Sequence, residues 1–245
     1  MSRPVKSIPN AITSMNLLSG TIGVVFASFL GRVDVAFAFM LAAAVFDFCD
    51  GLAARLLGAY SDMGKELDSL SDLVSFGVLP SVMLLVLMAS VNGLRWYCFI
   101  PLLLAVATGL RLAKFNVDPR QSHSFLGLPA PASAMIAGSF ADFCWASPGS
   151  AMDSLVGSIW FIPVFTILLS ALLVSEIPMF SLKFSKEDKG NFLVNAKRTA
   201  LLTIAVLSVV AVAVAGVRWT VAVFAIFLVY LLMNLLFAVL PGKAA

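Results

Sequence analysis

The sequence predicts an all-α membrane protein, a polytopic bundle of transmembrane helices. Of its 245 residues, 61% are hydrophobic and 12% are charged, and the mean hydropathy is +1.02. A soluble domain carries about twice that share of charged residues. Long apolar runs also recur along the whole chain, and a helix needs about 20 such residues to cross a bilayer. These observations argue against a soluble fold, and we expect no nucleic acid among the partners.

Eight apolar runs predict eight spans. They cover residues 11–30, 35–57, 65–90, 94–115, 125–145, 159–179, 199–217 and 220–240. The first six form a predicted core domain over residues 1–179, followed by a cytosolic loop at 180–198 and a transmembrane hairpin at 199–245. Spans seven and eight contain almost only aliphatic and aromatic residues, so we expect them to serve packing or dimer contact.

The distribution of positive charge predicts the orientation. With the N-terminus in the cytosol, all but three of the 16 Lys and Arg residues fall on the cytosolic side, and the exceptions are Arg32, Arg95 and Arg218. This asymmetry follows the positive-inside rule. We therefore expect a multi-pass protein of the cell (inner) membrane, with its site facing the cytosol. The first apolar run is too long for a signal-peptide core, so we expect the N-terminal segment to be retained.

Polar side chains open the first span. Pro9 lies near its start, and Asn10, Thr13 and Asn16 follow at intervals of three, on one face of a helix. An N-cap followed by an ordinary helix would explain this pattern. Contact of Asn10 and Thr13 with a ligand is the alternative.

Four aspartates stand at the junction of spans two and three. Asp47 and Asp50 are three apart at the end of one run, and Asp68 and Asp72 are four apart at the start of the next. On helices these spacings place each pair on one face, so both pairs can point to one place. An ionisable group at membrane depth is costly unless it faces a cavity, a partner or an ion, so its presence indicates a functional role. Four acids without four nearby bases, and without a thiolate or imidazole set, indicate Mg²⁺ or Mn²⁺.

Small residues and one arginine accompany the first acid pair. Gly51 and Ala54 share its helical face, which leaves room for a bulky ligand, and glycine lets a phosphate approach the backbone closely. Arg55 offers a fixed fork of donors that suits phosphate. A snorkelling residue at the membrane edge is the alternative for Arg55.

The spacing of these residues resembles a known signature. Asp47, Asp50-Gly51, Ala54-Arg55, Gly64, Asp68 and Asp72, with two, two, eight, three and three residues between them, are similar to the complete motif of the CDP-alcohol phosphotransferase family. Eight fixed positions match by chance about once in 10^10 starts. The resemblance implies a two-metal transfer of a phosphatidyl group and a homodimer, and it makes residues 1–179 the catalytic domain.

The resemblance also implies roles for individual residues. Asp47, Asp50 and Asp68 would hold one ion, and Asp47, Asp68 and Asp72 the other, while Asp72 accepts the proton of the attacking hydroxyl. The residues implied to bind CDP-diacylglycerol are Asn10, Thr13, Gly51, Ala54, Arg55, Ser61 and Gly64.

The acceptor side has fewer signals. Arg111 and Lys114 lie one turn apart at the cytosolic end of span four, either as membrane anchors or as a site for an anion. The stretches ELDSLSDLVSFG, LRLAKFN and FLGLPAPAS resemble the integral-membrane phosphatidylserine synthase branch of the family, which implies L-serine as acceptor, with phosphatidylserine and CMP as products. Glycerol 3-phosphate or inositol phosphate is the alternative acceptor. A cation transporter is the alternative from another class, disfavoured because the acids cluster at one end.

Overall fold

The computed structural model describes residues 3–117, 125–148, 151–179 and 192–239, and it confirms the all-α prediction. The α-helices are α1 (Arg3–Leu30), α2 (Val33–Leu57), α3 (Asp62–Asp72), α4 (Leu79–Asn92), α5 (Leu103–Val117), α6 (Ala130–Ala146), α7 (Ala151–Gly157), α8 (Phe161–Val174), α9 (Phe192–Ala215) and α10 (Thr220–Val239). A π-helix, Leu73–Val78, joins α3 to α4, and a 3₁₀-helix, Trp96–Leu102, precedes α5.

Five helical segments are long and apolar enough to cross a membrane. They are Ser7–Leu30, Val33–Leu57, Asp62–Asn92, Trp96–Val117 and Thr220–Phe237. Two shorter apolar helices, Phe161–Val174 and Thr199–Ala215, accompany them. A multi-pass helical bundle is therefore confirmed, while the count of eight spans and the division into 1–179, 180–198 and 199–245 stay predictions. Most of the predicted cytosolic loop lies outside the described residues, as do Arg120, Lys183, Lys186, Lys189 and Lys243.

A short turn brings the two acid pairs to one end of the bundle, here called the site end. Gly58 ends α2 in the left-handed conformation, with φ of 58°, a region that favours glycine. Ser61 then caps α3, because its Oγ accepts a hydrogen bond from the Gly64 N–H at 3.0 Å. The chain thus reverses within four residues, and α3 begins beside the end of α2.

The π-helix lies directly after Asp72 and packs closely on α1. A Cβ on Gly20 of α1 would lie 2.3 Å from Ser75 Oγ and 2.9 Å from Ser75 Cα. Only glycine permits this approach, so the two backbones meet one turn beyond Asn16. π-Helical turns within α-helices are frequent at functional sites. This turn holds α1 against the segment that carries Asp72.

Helix α6 occupies the centre of the bundle, because its buried residues lie on all its faces. Its Gly138 fits against Met40 of α2, where a Cβ would come within 2.4 Å of Met40 Cε. Two-residue strands, β1 (Phe125–Leu126) and β2 (Pro178–Met179), pair antiparallel and tie the segment before α6 to the segment after α8. The start of α6 is thereby fixed at the site end.

Candidate active site

Three of the four predicted metal ligands lie together at the site end. Asp47, Asp50 and Asp68 each place a carboxylate oxygen within 4.8 Å of the others. Asp50 is 6% exposed, and its Oδ2 is buried without a hydrogen-bond partner in the described part of the chain. Several carboxylate oxygens around one point, one of them unsatisfied, suit a hard divalent cation. The residues therefore fit the Mg²⁺ or Mn²⁺ ion that the sequence predicts.

Asp72 has a different environment. Among the described residues it lies outside that close group of three, and it is buried against α1. Its Oδ1 accepts a hydrogen bond from Asn16 Nδ2 at 3.3 Å. Ser75 Oγ in turn donates to Asn16 Oδ1 at 2.7 Å. Because an ionised carboxylate only accepts hydrogen bonds, the amide nitrogen of Asn16 faces Asp72 and the amide oxygen faces Ser75. The pair of hydrogen bonds thus orients Asp72. The role of Asp72 as ligand of a second ion stays a prediction.

A first cavity of about 330 Å³ opens beside the close group of acids. All seven residues predicted to bind CDP-diacylglycerol line it, and they are Asn10, Thr13, Gly51, Ala54, Arg55, Ser61 and Gly64. Asp50, Lys65 and Asp68 line it too. The structure thus brings the predicted donor residues together, while the identity of their ligand stays a prediction.

Glycine is needed at two positions of this cavity, 51 and 64, for different physical reasons. A Cβ on Gly51 would meet no atom within 4 Å, so this glycine leaves open space next to the α2 backbone. A Cβ on Gly64 would lie 2.9 Å from Asn10 Oδ1 and 3.0 Å from Ser61 Oγ. Gly64 therefore allows the start of α3 to approach α1, whereas Gly51 leaves room for a ligand.

A second cavity of about 380 Å³ lies on the other side of the acids. Its lining includes the charged residues Asp47, Lys65, Asp68, Asp72 and Arg111. Two of these, Lys65 and Asp68, also line the first cavity. The remaining lining residues are Ser69, Leu112, Phe115, Asn116, Pro129, Pro131, Ala132, Phe227 and Tyr230. Asp68 and Lys65 therefore stand at the boundary between two cavities of similar size.

The two predicted acceptor residues are placed differently. Arg111 is buried in the wall of the second cavity, and its Nε has no hydrogen-bond partner within the described ranges. Lys114 is not among the lining residues; its Nζ forms an exposed ion pair with Glu176 Oε1 at 2.8 Å. A buried guanidinium that faces a cavity is a ready site for a carboxylate or phosphate.

Comparison with known proteins fits this geometry. Residues 6–168 match the family model described as CDP-alcohol phosphatidyltransferase. The chain belongs to this family. Its helix α10, which supplies Phe227 and Tyr230 to the second cavity, lies outside the matched residues.

Several relatives of the chain bear one name, CDP-diacylglycerol-serine O-phosphatidyltransferase. The protein of Mycobacterium bovis is 36% identical over 70% of this chain and 60% of its own length. The Bacillus subtilis protein is 38% identical over 52% of this chain and 71% of its own length. The Methanocaldococcus jannaschii protein is 30% identical over 71% of this chain and 74% of its own length. The chain thus spans less than two thirds of the length of the mycobacterial relatives.

Sequence reasoning gave no role to Asn16, Ser75, Phe227 or Tyr230. The interval of three from Asn10 and Thr13 marked Asn16 as polar on the same face, and Ser75 continues the stripe of Asp68 and Asp72. Their hydrogen bond depends on the contact between α1 and the π-helix, which no spacing within one helix predicts. Tyr230 stands in a span rich in aromatic residues, so its sequence context carries no signal.

Proposed function

We propose that this protein transfers the phosphatidyl group of CDP-diacylglycerol to the hydroxyl of L-serine, giving phosphatidylserine and CMP. The supporting observation is that the acid cluster separates two cavities, with Asp68 and Lys65 in the wall of both. In an in-line transfer the attacking and leaving oxygens lie on opposite sides of the phosphorus. The two bound molecules must therefore meet at the groups that stabilise the charge on the transferred group. The names of these relatives favour the same pair of substrates.

The first cavity is assigned to the cytidine diphosphate part of the donor. Asn10 and Thr13 would contact the nucleotide, and Arg55 the diphosphate. The Nε of Arg55 donates to the Gly51 carbonyl oxygen at 2.9 Å, which holds the side chain along α2. The open space beside Gly51 allows phosphate oxygens to come close to the backbone.

The second cavity is assigned to serine. Arg111 would bind its carboxylate, and Asp72 would accept its hydroxyl proton as the oxygen attacks the lipid-side phosphorus. The bond from that phosphorus to the oxygen of CMP then breaks, and CMP leaves with the electron pair. A carboxylate is an effective base for an alcohol only when it is held within reach of the proton in the transition state. The Asn16 hydrogen bond to Asp72 provides that restraint.

The acid cluster is assigned to divalent cations. Asp47, Asp50 and Asp68 would hold Mg²⁺ or Mn²⁺, with Asp72 completing a second site; the bound metal neutralises the diphosphate and stabilises both the incoming and the leaving oxygen. We assign the protein to the cell membrane with this site on the cytosolic side, and we expect it to work as a homodimer.

The test uses the purified full-length chain in vesicles that contain CDP-diacylglycerol. We expect CMP release to require L-serine together with Mg²⁺ or Mn²⁺, and phosphatidylserine to form in equal amount. Chelation by EDTA should abolish both products, and readdition of the metal should restore them.

The same assay separates the alternatives. CMP release with glycerol 3-phosphate or inositol phosphate, and none with serine, would assign the chain to another acceptor. Metal flux across vesicles that lack the nucleotide lipid, without CMP release in its presence, would indicate a transporter and refute the enzyme.

A further inference from the structure

Helix α10 reaches the second cavity although it lies far from the acids in sequence. Phe227 and Tyr230 are three residues apart and therefore share one face of the helix. Both side chains line the cavity that also contains Asp72 and Arg111. Tyr230 is only 4% exposed, so its ring forms part of the wall. A helix that serves packing alone would have no reason to place a phenol there.

The position of α10 is fixed at its other end. Arg218, just before the helix, donates from Nε and Nη2 to the two carboxylate oxygens of Asp142 in α6, at 2.7 and 2.8 Å. The side chain of Asp142 is 1% exposed. The Phe224 ring of α10 packs on Phe140 of α6, with 5.9 Å between centroids. A two-donor ion pair and a ring contact together prevent α10 from sliding along α6.

The chemistry of the cavity suits a small amino acid with a hydroxyl group. Arg111 supplies a cation for a carboxylate, and Asp72 supplies an acceptor for a hydroxyl. The Tyr230 hydroxyl hydrogen-bonds the Asn234 side chain, one turn further along α10. Because a phenol can both donate and accept, it keeps the capacity for a second hydrogen bond in the cavity. The wall contributed by α6 and the residue before it contains Pro129 and Pro131, whose rings restrict backbone adjustment. This part of the cavity wall therefore resists rearrangement.

We propose that Tyr230 is a specificity-determining residue of the acceptor cavity. Its hydroxyl hydrogen-bonds the bound amino acid, and its ring limits the room beside the acceptor side chain. This inference rests on the proposed function, since it gives the second cavity to the acceptor. It makes α10 part of the acceptor site.

Two substitutions test the hydroxyl and the ring separately. Tyr230→Phe removes one oxygen and preserves the packing, so we expect the KM for serine to rise about tenfold, the loss of one good hydrogen bond, with the KM for CDP-diacylglycerol unchanged. Tyr230→Ala enlarges the cavity, and we expect the ratio of kcat/KM for serine over threonine to fall about tenfold, since one methyl group is worth that much in a tight pocket. Leu232→Ala, an exposed position on the same helix, is the control.

The outcomes distinguish the inference from the proposed function. If the unsubstituted protein releases CMP in response to serine and Tyr230→Phe has the same serine KM, the inference is overturned and the function stands. If Leu232→Ala shifts the serine KM as much as Tyr230→Phe does, the effect comes from the helix and the inference again fails. If serine does not stimulate the unsubstituted protein, the proposed function and this inference fall together.

Discussion

The two cavities that meet at Asp68 and Lys65 differ in how the chain builds their walls. Every lining residue of the first cavity lies between Pro9 and Asp68, within three consecutive helices and one turn. The second cavity takes residues from α2, α3, α5, α6 and α10, and its wall extends to Tyr230. A continuous segment therefore carries the proposed donor site, whereas the proposed acceptor site forms only once distant helices have packed. Under this assignment, acceptor choice can change without any change in the donor segment.

Asp68→Asn should have the largest effect, because Asp68 belongs to both cavities and to the acid cluster. We expect at least a 10³-fold loss of turnover, consistent with the several kcal/mol that metal charge stabilisation supplies. Binding of Mn²⁺, followed by the electron paramagnetic resonance of the free ion, should weaken at least tenfold. Asp62→Asn, an exposed acid in the same helix, is the control. Unchanged Mn²⁺ affinity would remove Asp68 from the metal site.

Asp72→Asn should separate binding from chemistry. This side chain lines only the second cavity, so donor binding should persist while the proton acceptor is lost. We expect kcat to fall about 10³-fold, within the range for loss of a general base. Binding of CDP-diacylglycerol to the purified protein should change by less than about threefold. Turnover like that of the unsubstituted protein at saturating metal would contradict the assigned role.

A reciprocal pair tests the division into donor and acceptor sides directly. Arg55→Ala should raise the KM for CDP-diacylglycerol and leave the KM for serine unchanged. Arg111→Ala should raise the KM for serine and leave the KM for CDP-diacylglycerol unchanged. A hydrogen bond to a charged group is worth about 1.5–3 kcal/mol, so each KM should rise about 10- to 100-fold. Both constants come from CMP release measured against each substrate in turn. If either substitution raises both constants equally, the two cavities are not independent.

Loss of the Asn16 hydrogen bond should have a smaller effect, confined to kcat. Asn16→Leu keeps the number and branching of the side-chain heavy atoms but leaves Asp72 Oδ1 without its donor. A net hydrogen bond contributes about 1 kcal/mol, so we expect kcat to fall about fivefold with both KM values unchanged. Ser75→Ala should also lower kcat, by a smaller factor than Asn16→Leu. Thr21→Val, at an exposed position on α1, is the matched control; an equal loss of kcat there would make the Asn16 effect one of folding.

The difference between the cavities also explains what the sequence could predict. Arg55, Ser61 and Gly64 are close in sequence, so helical spacing and one turn suffice to bring them together. Asn10 joins them through the packing of α1 against the start of α3, and only the family resemblance predicted that it would. Arg111 was recognisable as one of two cations that lie one turn apart at the end of a predicted span. Tyr230 was not, because one aromatic residue among many in a membrane span gives no pattern. The π-helix after Asp72 was also missed, because an extra residue in one turn shifts the apolar periodicity and such a shift is not visible where nearly every residue is apolar.

Lys114→Ala should have the smallest effect, and it sharpens the boundary of the acceptor site. Sequence reasoning paired Lys114 with Arg111 because the two share a helical face, yet the Lys114 ammonium contacts Glu176 at 2.8 Å. Both partners of this ion pair are well exposed, with 38% and 57% of their side chains accessible, and such pairs contribute about 0–1 kcal/mol. We expect the serine KM to change by less than about twofold, and Glu176→Gln to behave alike. A tenfold rise for Lys114→Ala, with Glu176→Gln unaffected, would instead give Lys114 a direct contact with the acceptor, because the ammonium would then act independently of its partner.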